Sequence, residues 1–148
     1  MSEAKRARVP RRPRPGINRD NSFFWEGLKE DKLLIQRCQT CGELRHPPGP
    51  MCPHCHSLEW DTLKACGRGT IYSYVNLHHP AVPPFANPNP IGLIELEEGT
   101  RLVAGLLDIE ADEVRIGQPV EVVFYREQED DDHAIALFRV TDKSAEAA

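Results

Sequence analysis

The sequence predicts a mainly β protein that begins with one helix, continues into a small cysteine-rich ribbon and ends in an antiparallel barrel. The first observation is a pair of CxxC motifs in the first half of the 148-residue chain. The second is a series of short segments rich in Val, Ile, Tyr and Phe that follows them. The third is that tight turns, and not helices, separate these segments. Because such strands pair with their sequence neighbours, a small antiparallel barrel is the expected arrangement.

The predicted helix runs from Asn21 to about Lys32. Three polar residues at its start can each supply an oxygen to the free amides of the first turn: Asp20, Asn21 and Ser22. Its apolar residues fall on one face at helical spacing: Phe24, Trp25 and Leu28. We expect this face to pack on the rest of the domain. The alternative is a partner-binding role for Phe23, Phe24 and Trp25.

The predicted strands are short and are punctuated by glycines. One precedes the first cysteine pair and the others follow the second pair. They lie near Leu33–Arg37, Thr62–Ala65, Thr70–Leu77, Ile91–Leu96, Arg101–Ile109, Val120–Arg126 and Ala134–Val140. Two segments are expected to be hairpin turns: Glu97–Thr100 and the acidic run Glu127–Asp132.

Four of the five cysteines form two tight pairs, Cys38-x2-Cys41 and Cys52-x2-Cys55, with ten residues between the pairs. Each pair offers two thiolates, and four soft sulfur donors in a tetrahedral array favour Zn²⁺. Such a shell has no open position for water or substrate, so the predicted zinc site is structural and not catalytic. Gly42, after the first pair, is expected in a turn with positive φ.

Other candidates for metal binding or chemistry are weaker. Four cysteines already fill the metal shell, so we expect the nearby histidines to be surface residues: His46, His54 and His56. Cys66 is expected to be a small buried hydrophobic residue and not a nucleophile. A redox role for the CxxC pairs would need a thioredoxin-like βαβ setting, which the sequence does not predict. The sequence has no Gly-rich phosphate loop, GxSxG or HExxH motif, so no catalytic residue is assigned.

The net charge of −5 is unevenly distributed along the chain. Residues 1–15 carry six Lys or Arg against one Glu, a local charge of +5, so the remainder sums to −10. No apolar run is long enough to cross a bilayer, and no hydrophobic stretch follows the basic start, so neither a membrane span nor a secretory signal is predicted. The total of five cysteines is odd, and four of them lie in two close pairs. This pattern suits a metal site in a reducing compartment better than a disulfide framework, and we therefore expect a cytoplasmic protein.

The expected organisation has four segments. Residues 1–19 form a flexible basic Arg/Pro-rich arm or linker, 20–61 the helix and zinc ribbon, 62–141 the barrel, and 142–148 a disordered tail. The arm also suits a junction to a preceding domain, which leaves open that the chain is a fragment of a larger protein. The proline-rich segment His78–Pro90, with Phe85 at its middle, is either a docking or ligand-lining loop or an ordinary connection between strands.

The order of these features resembles one family. The FFW helix is followed by QRC-x2-CG, a proline-rich link to CP-x2-C, and then GRGTIYSY, IELEEGTRLVAGL and IGQPVEVVF. Over about residues 20 to 140, this pattern is similar to zinc-ribbon and OB-fold proteins long catalogued as a domain of unknown function, many of them linked to acyl-CoA metabolism. The resemblance implies an N-terminal helix, a rubredoxin-like ribbon and a C-terminal OB-fold barrel.

Within that family, the sequence most resembles the domain that follows a hydratase-like domain in a steroid side-chain enoyl-CoA hydratase subunit. The resemblance implies a lipid-transfer-protein-like thiolase homologue as partner, possible contact with acyl-CoA, and a retro-aldolase whose catalytic residues lie on the partner. The chain would then be a non-catalytic accessory subunit. A scaffold for other thiolase-type enzymes and a self-sufficient enzyme are alternatives.

Binding of single-stranded nucleic acid is a further alternative, because OB barrels and zinc ribbons both serve it. Tyr72 and Tyr74 are expected to share one strand face and to be able to stack bases. The charge of −10 outside the basic arm repels phosphates, however, so nucleic acid is not the expected partner.

Overall fold

The computed structural model describes residues 11–128 and 131–142. In these residues one α-helix is followed by eight strands, and a short 3₁₀-helix, Ala111–Glu113, lies between the sixth and seventh strands. The elements in chain order are α1 Ser22–Lys29, β1 Leu34–Cys38, β2 Leu44–Arg45, β3 Trp60–Lys64, β4 Arg68–Leu77, β5 Asn89–Leu96, β6 Arg101–Leu107, β7 Pro119–Tyr125 and β8 Ile135–Val140. No helix in this described part is long and apolar enough to cross a membrane.

The strands form a small ribbon sheet and a closed barrel, which confirms the predicted fold class. The ribbon sheet has the order β2-β1-β3, and the barrel has the order β4-β5-β6-β8-β7. Neighbouring barrel strands are antiparallel except β6 and β8, which pair in parallel where the barrel closes. The strand predicted near Thr62–Ala65 begins at Trp60 and pairs with β1, so it belongs to the ribbon sheet. The predicted division at residues 61 and 62 falls inside this strand.

Helix α1 joins the ribbon to the barrel through one continuous core. Phe24 and Leu28 are buried, with Leu28 fully enclosed, as the predicted apolar face requires. They belong to the same cluster as Ile35 from the ribbon and Phe138 from the barrel. Because one cluster spans both parts, disorder in the ribbon is expected to weaken the packing of the barrel as well.

The helix ends three residues earlier than predicted and is capped differently. Asp31 adopts a left-handed conformation with φ of 57°, and the Lys32 amide turns back to donate to the Gly27 carbonyl, which closes the helix. Asn21 occupies the N-cap position but its side chain makes no capping hydrogen bond. Its Oδ1 instead accepts a hydrogen bond from the Asn18 amide, so the polar residues order the turn before the helix.

Two arginines of the predicted arm, Arg12 and Arg14, contact the rest of the chain. The Arg12 guanidinium lies 5.1 Å from the ring centroids of both Phe85 and Tyr125, and the Arg12 amide donates to the Glu127 carboxylate at 2.7 Å. Arg14 forms an exposed ion pair with Asp132. Residues 1–10 and 143–148 lie outside the described residues, so the flexible arm and the disordered tail stay predictions.

Candidate metal centre

The four paired cysteines converge at one end of the ribbon. Cys38 is the last residue of β1 and Cys52 opens the second knuckle, and both are 1% exposed. The four Sγ atoms lie within 4.8 Å of one another. The Cys38–Cys55 and Cys41–Cys52 sulfur pairs are 3.5 and 3.6 Å apart. Tetrahedral zinc, with Zn–S bonds of about 2.3 Å, requires sulfur–sulfur spacings of about 3.8 Å, so the donor set fits this ion.

The two knuckles have matching backbone geometry. The Gly42 amide donates to the Cys38 carbonyl, and the His56 amide donates to the Cys52 carbonyl, each at 2.9 Å. Both donor residues are left-handed, with φ of 79° at Gly42 and 63° at His56. The predicted positive φ at Gly42 is therefore confirmed, and His56 adopts the same conformation despite its side chain. Each loop turns two sulfurs towards one point.

The electrostatics of the cluster favour a bound cation. The Cys41 amide lowers the pKa of Cys38, and the Cys55 amide lowers the pKa of Cys52. At Cys41 the Glu43 amide favours the thiolate, but desolvation and the neighbouring sulfurs outweigh it and raise the pKa. Crowded sulfurs cannot all ionise alone, and a divalent cation among them removes this repulsion.

A buried polar cluster fixes the link between the knuckles, and no sequence motif indicated it. The Gln36 Oε1 accepts hydrogen bonds from Arg45 Nε and from the Gly49 amide, each at 2.9 Å. The Gly49 carbonyl accepts from both side chains at 3.0 Å. Gln36 is 1% and Arg45 9% exposed. These bonds hold residue 49, three positions before Cys52, against the strands that carry the first knuckle.

Two predictions about residues near this centre are wrong. His46 is half-buried and not a fully exposed residue, because its ring packs 5.1 Å from that of Phe24, and burial lowers its pKa. Cys66 is exposed and not buried, because it lies in the turn between the ribbon and β4. The Arg68 amide favours its thiolate, but desolvation and the carboxylates of Glu97 and Glu98 outweigh this effect and raise the pKa. His54 and His56 are exposed, as predicted.

The prediction that Tyr72 and Tyr74 share one strand face is also wrong. A β-bulge interrupts the pairing of β4 with β5 between Ile71 and Ser73 and leaves Tyr72 as the extra residue. Tyr72 is therefore exposed, whereas Tyr74 packs against the core. The Arg101 guanidinium already covers the Tyr72 ring, at 3.6 Å from its centroid. The two rings do not form a stacking platform.

Among residues 11–128 and 131–142, the four cysteines are the group of potential metal ligands whose donor atoms lie close together. A cavity of about 380 Å³ lies elsewhere on the barrel, between β4, the β5–β6 turn and β7. Its charged lining is largely paired, since Arg68 binds both oxygens of Glu97 at 3.0 and 3.2 Å. The absence of catalytic residues stays a prediction.

A four-cysteine zinc ribbon joined through one helix to an OB-fold barrel defines the class of protein. A family model described as "ChsH2, rubredoxin-like zinc ribbon domain" matches residues 25–61. A second, "ChsH2, C-terminal OB-fold domain", matches residues 64–125. In a solved structure, "Ltp2-ChsH2(DUF35) aldolase", the matching chain is 47% identical with a TM-score of 0.80, covering 87% of this chain and 100% of that one. The chain belongs to this DUF35 family of zinc-ribbon and OB-fold proteins.

Two curated relatives are longer than this chain. A "Probable enoyl-CoA hydratase alpha subunit" of Thermomonospora curvata is 56% identical over 109 residues, which are 74% of this chain and 34% of the relative. The "3-oxo-4,17-pregnadiene-20-carboxyl-CoA hydratase alpha subunit" of Mycobacterium tuberculosis is 41% identical over 111 residues, 75% of this chain and 35% of the relative. The chain thus matches about a third of the length of these curated relatives.

Proposed function

We propose that this chain is a non-catalytic accessory subunit of a thiolase-like retro-aldolase that acts in steroid side-chain degradation. The observation that carries the proposal is its similarity to the whole DUF35 chain of the Ltp2–ChsH2 aldolase, at 47% identity. The relative from M. tuberculosis is named for a steroid carboxyl-CoA substrate, which supports the same substrate class. The reaction would split a β-hydroxyacyl-CoA side chain at a carbon–carbon bond.

In this proposal, Cys38, Cys41, Cys52 and Cys55 are the zinc ligands and zinc has a structural role. The ion holds the two knuckles together, and the shared core transmits that order through α1 to the barrel. The catalytic residues lie on the thiolase-like subunit, and the chain acts in the cytoplasm. Its contribution to catalysis is to bind and support that subunit.

Nucleic acid is a weaker candidate on the geometry of the barrel. OB folds that bind single strands combine aromatic platforms with a positively charged groove. Here Arg101, beside Tyr72, is paired with Glu95 at 2.9 Å, and Tyr74 packs against the core. The basic and aromatic side chains of these strands are therefore engaged within the chain, and the outward side chains that remain for binding are aliphatic.

Complex formation tests the proposed function. We expect the purified chain and the lipid-transfer-protein-like thiolase homologue of the same source to co-elute in size-exclusion chromatography, with a light-scattering mass equal to a sum of whole subunits. Cys66→Ser is the control variant and should assemble normally, because Cys66 lies outside the zinc cluster. Separate elution of the two proteins at about 10 μM each, well above the dissociation constant of a stable subunit pair, would contradict the proposal.

A further inference from the structure

The outer surface of β4, β5 and β6 carries a face made mainly of aliphatic side chains. The strand registers place Leu77 beside Asn89, Val75 beside Ile91 and Ser73 beside Leu93. Across the next pair, Ile91 lies beside Gly105 and Leu93 beside Val103. The outward side chains of this face are six: Val75, Leu77, Ile91, Leu93, Val103 and Leu107. We call them the aliphatic face. The other positions in its rows, Ser73, Asn89 and Gly105, carry no charge.

Exposure sets this face apart from an ordinary strand surface. Val103 is 69% exposed and Val75 60%, and Leu77 is 44% exposed. Strands that face water on one side normally direct polar residues outwards, and the largest contiguous apolar patch on a monomer, about 300–600 Å², is often functional. The shallow groove between them, about 160 Å³, is small for a drug-sized or acyl-CoA ligand, whose sites have volumes of roughly 300–1,000 Å³.

The charges at the two ends of the face differ. At one end, Arg101 and Glu95 neutralise each other, with Arg101 stacked on Tyr72. At the other end, directly after β6, residues 108–113 form an acidic turn. The Asn76 side chain donates to the Ala111 carbonyl at 3.1 Å and holds this turn against the end of β4. The turn contains four acids and no basic residue: Asp108, Glu110, Asp112 and Glu113. Arg115 donates to backbone carbonyls of residues 112 and 114.

The area of the face indicates a larger partner. Three strands about 4.8 Å apart and three rows about 6.8 Å apart give roughly 300 Å², against about 800 Å² per partner in a standard interface. Two copies of this chain meeting through the face alone would bury only about 600 Å² in total, which is too little for a stable dimer. The area of the face is therefore what we expect of the apolar centre of a larger interface whose rim is charged.

We propose that the aliphatic face is the docking surface for the thiolase-like subunit. Its occupant is an aliphatic patch on that subunit, with Lys or Arg residues facing the acidic turn. A neighbouring groove of about 240 Å³ shares Ile91 and Val103 and is also lined by Phe85, so the proline-rich loop extends the surface. This inference rests on the proposed function and adds the residues that make the contact.

A matched pair of charge substitutions tests the docking surface. Val103→Glu places a carboxylate on the most exposed side chain of the face, and Leu58→Glu makes the same change in the ribbon at equal exposure, 68% against 69%. We expect Val103→Glu to weaken binding to the thiolase-like subunit about thirty-fold or more, because the complex would bury an unpaired carboxylate, and Leu58→Glu to change it less than about three-fold. Isothermal titration calorimetry measures both. Asp112→Lys should slow association at low salt, because rim charges act mainly on association rates.

Folding and the alternative occupants are checked with the same variants. Each variant should keep its zinc content and its melting temperature, since the substituted side chains are exposed. If the wild-type chain forms the complex and Val103→Glu binds the thiolase-like subunit with the same affinity, the docking surface is overturned and the proposed function stands. If the wild-type chain forms no complex, both proposals fail. A wild-type homodimer, or nucleic-acid binding, that Val103→Glu abolishes would assign the face to a different occupant and overturn the inference.

Discussion

Replacement of Cys38 by Ser is expected to release zinc and unfold the ribbon. Cys38 ends β1 and its sulfur lies 3.5 Å from that of Cys55, so its loss opens a shell that needs four thiolates. Structural zinc contributes about 10–16 kcal/mol in small zinc-binding peptides, which is as large as the whole stability of a typical domain, about 5–15 kcal/mol. Elemental analysis should give about one zinc per wild-type chain and a strongly reduced content in the variant.

The unfolding should extend beyond the ribbon. Leu33 and Ile35, at 1% and 0% exposure, pack in the cluster that also contains the barrel residue Phe138. We therefore expect Cys38→Ser to lower the melting temperature of the whole chain, as measured by circular dichroism. Cys66→Ser is the matched control, because it removes a thiol that lies outside the cluster. Full zinc content and unchanged melting in Cys38→Ser would contradict the metal assignment.

Substitution of Gly69 by Ala is expected to destabilise the barrel by about 2–4 kcal/mol. Gly69 lies in β4 opposite Leu96, and a Cβ at this position would overlap the backbone carbonyl of Glu95. A backbone carbonyl cannot move aside as a flexible side chain can. The first two strands of the barrel, β4 and β5, would therefore have to separate. Chemical denaturation measures the free energy of unfolding.

Gly16→Ala is the control for this substitution, since a Cβ at Gly16 has no atom within 4 Å. It should change stability by less than about 0.5 kcal/mol. A Gly69→Ala variant as stable as the control would mean that the close approach of β4 and β5 is not required. Gly69 also belongs to the GRGT segment, one of the most specific parts of the family resemblance.

The features that the sequence predicted well are local ones. The two CxxC spacings determine the knuckle loops directly, because each loop closes through its own backbone hydrogen bonds. The barrel strands begin and end within about two residues of the predicted bounds, since glycines and short turns limit where a strand can continue. The Glu97–Thr100 turn joins β5 to β6 as expected.

The features that it missed depend on contacts between distant residues. One extra residue in β4 turns Tyr72 and Tyr74 to different environments, and no local pattern marks a bulge. His46 is half-buried because α1 places Phe24 over it. The Gln36 and Arg45 side chains meet only after β1 and β2 have paired. Hydrogen bonds to each other and to the Gly49 backbone allow Gln36 and most of Arg45 to be buried.

The aliphatic face was missed for a related reason. Its six side chains come from three strands, and β6 is apolar on both faces, so its composition alone does not separate outward side chains from those of the core. Only the register of β4 with β5 and of β5 with β6 brings them to one surface. The two alternatives for the proline-rich loop stay open, and the structure places Phe85 in a groove beside this face.

The most direct test of the accessory role is turnover of a steroid that carries a β-hydroxyacyl-CoA side chain, assayed by release of the shortened acyl-CoA. The chain, the thiolase-like subunit and their mixture are each assayed. The proposed function predicts no cleavage by the chain alone, little or none by the thiolase-like subunit alone, and cleavage by the mixture that reaches a plateau at a fixed ratio of subunits. Cleavage by this chain without a partner, or equal activity of the thiolase-like subunit with and without it, would contradict the account.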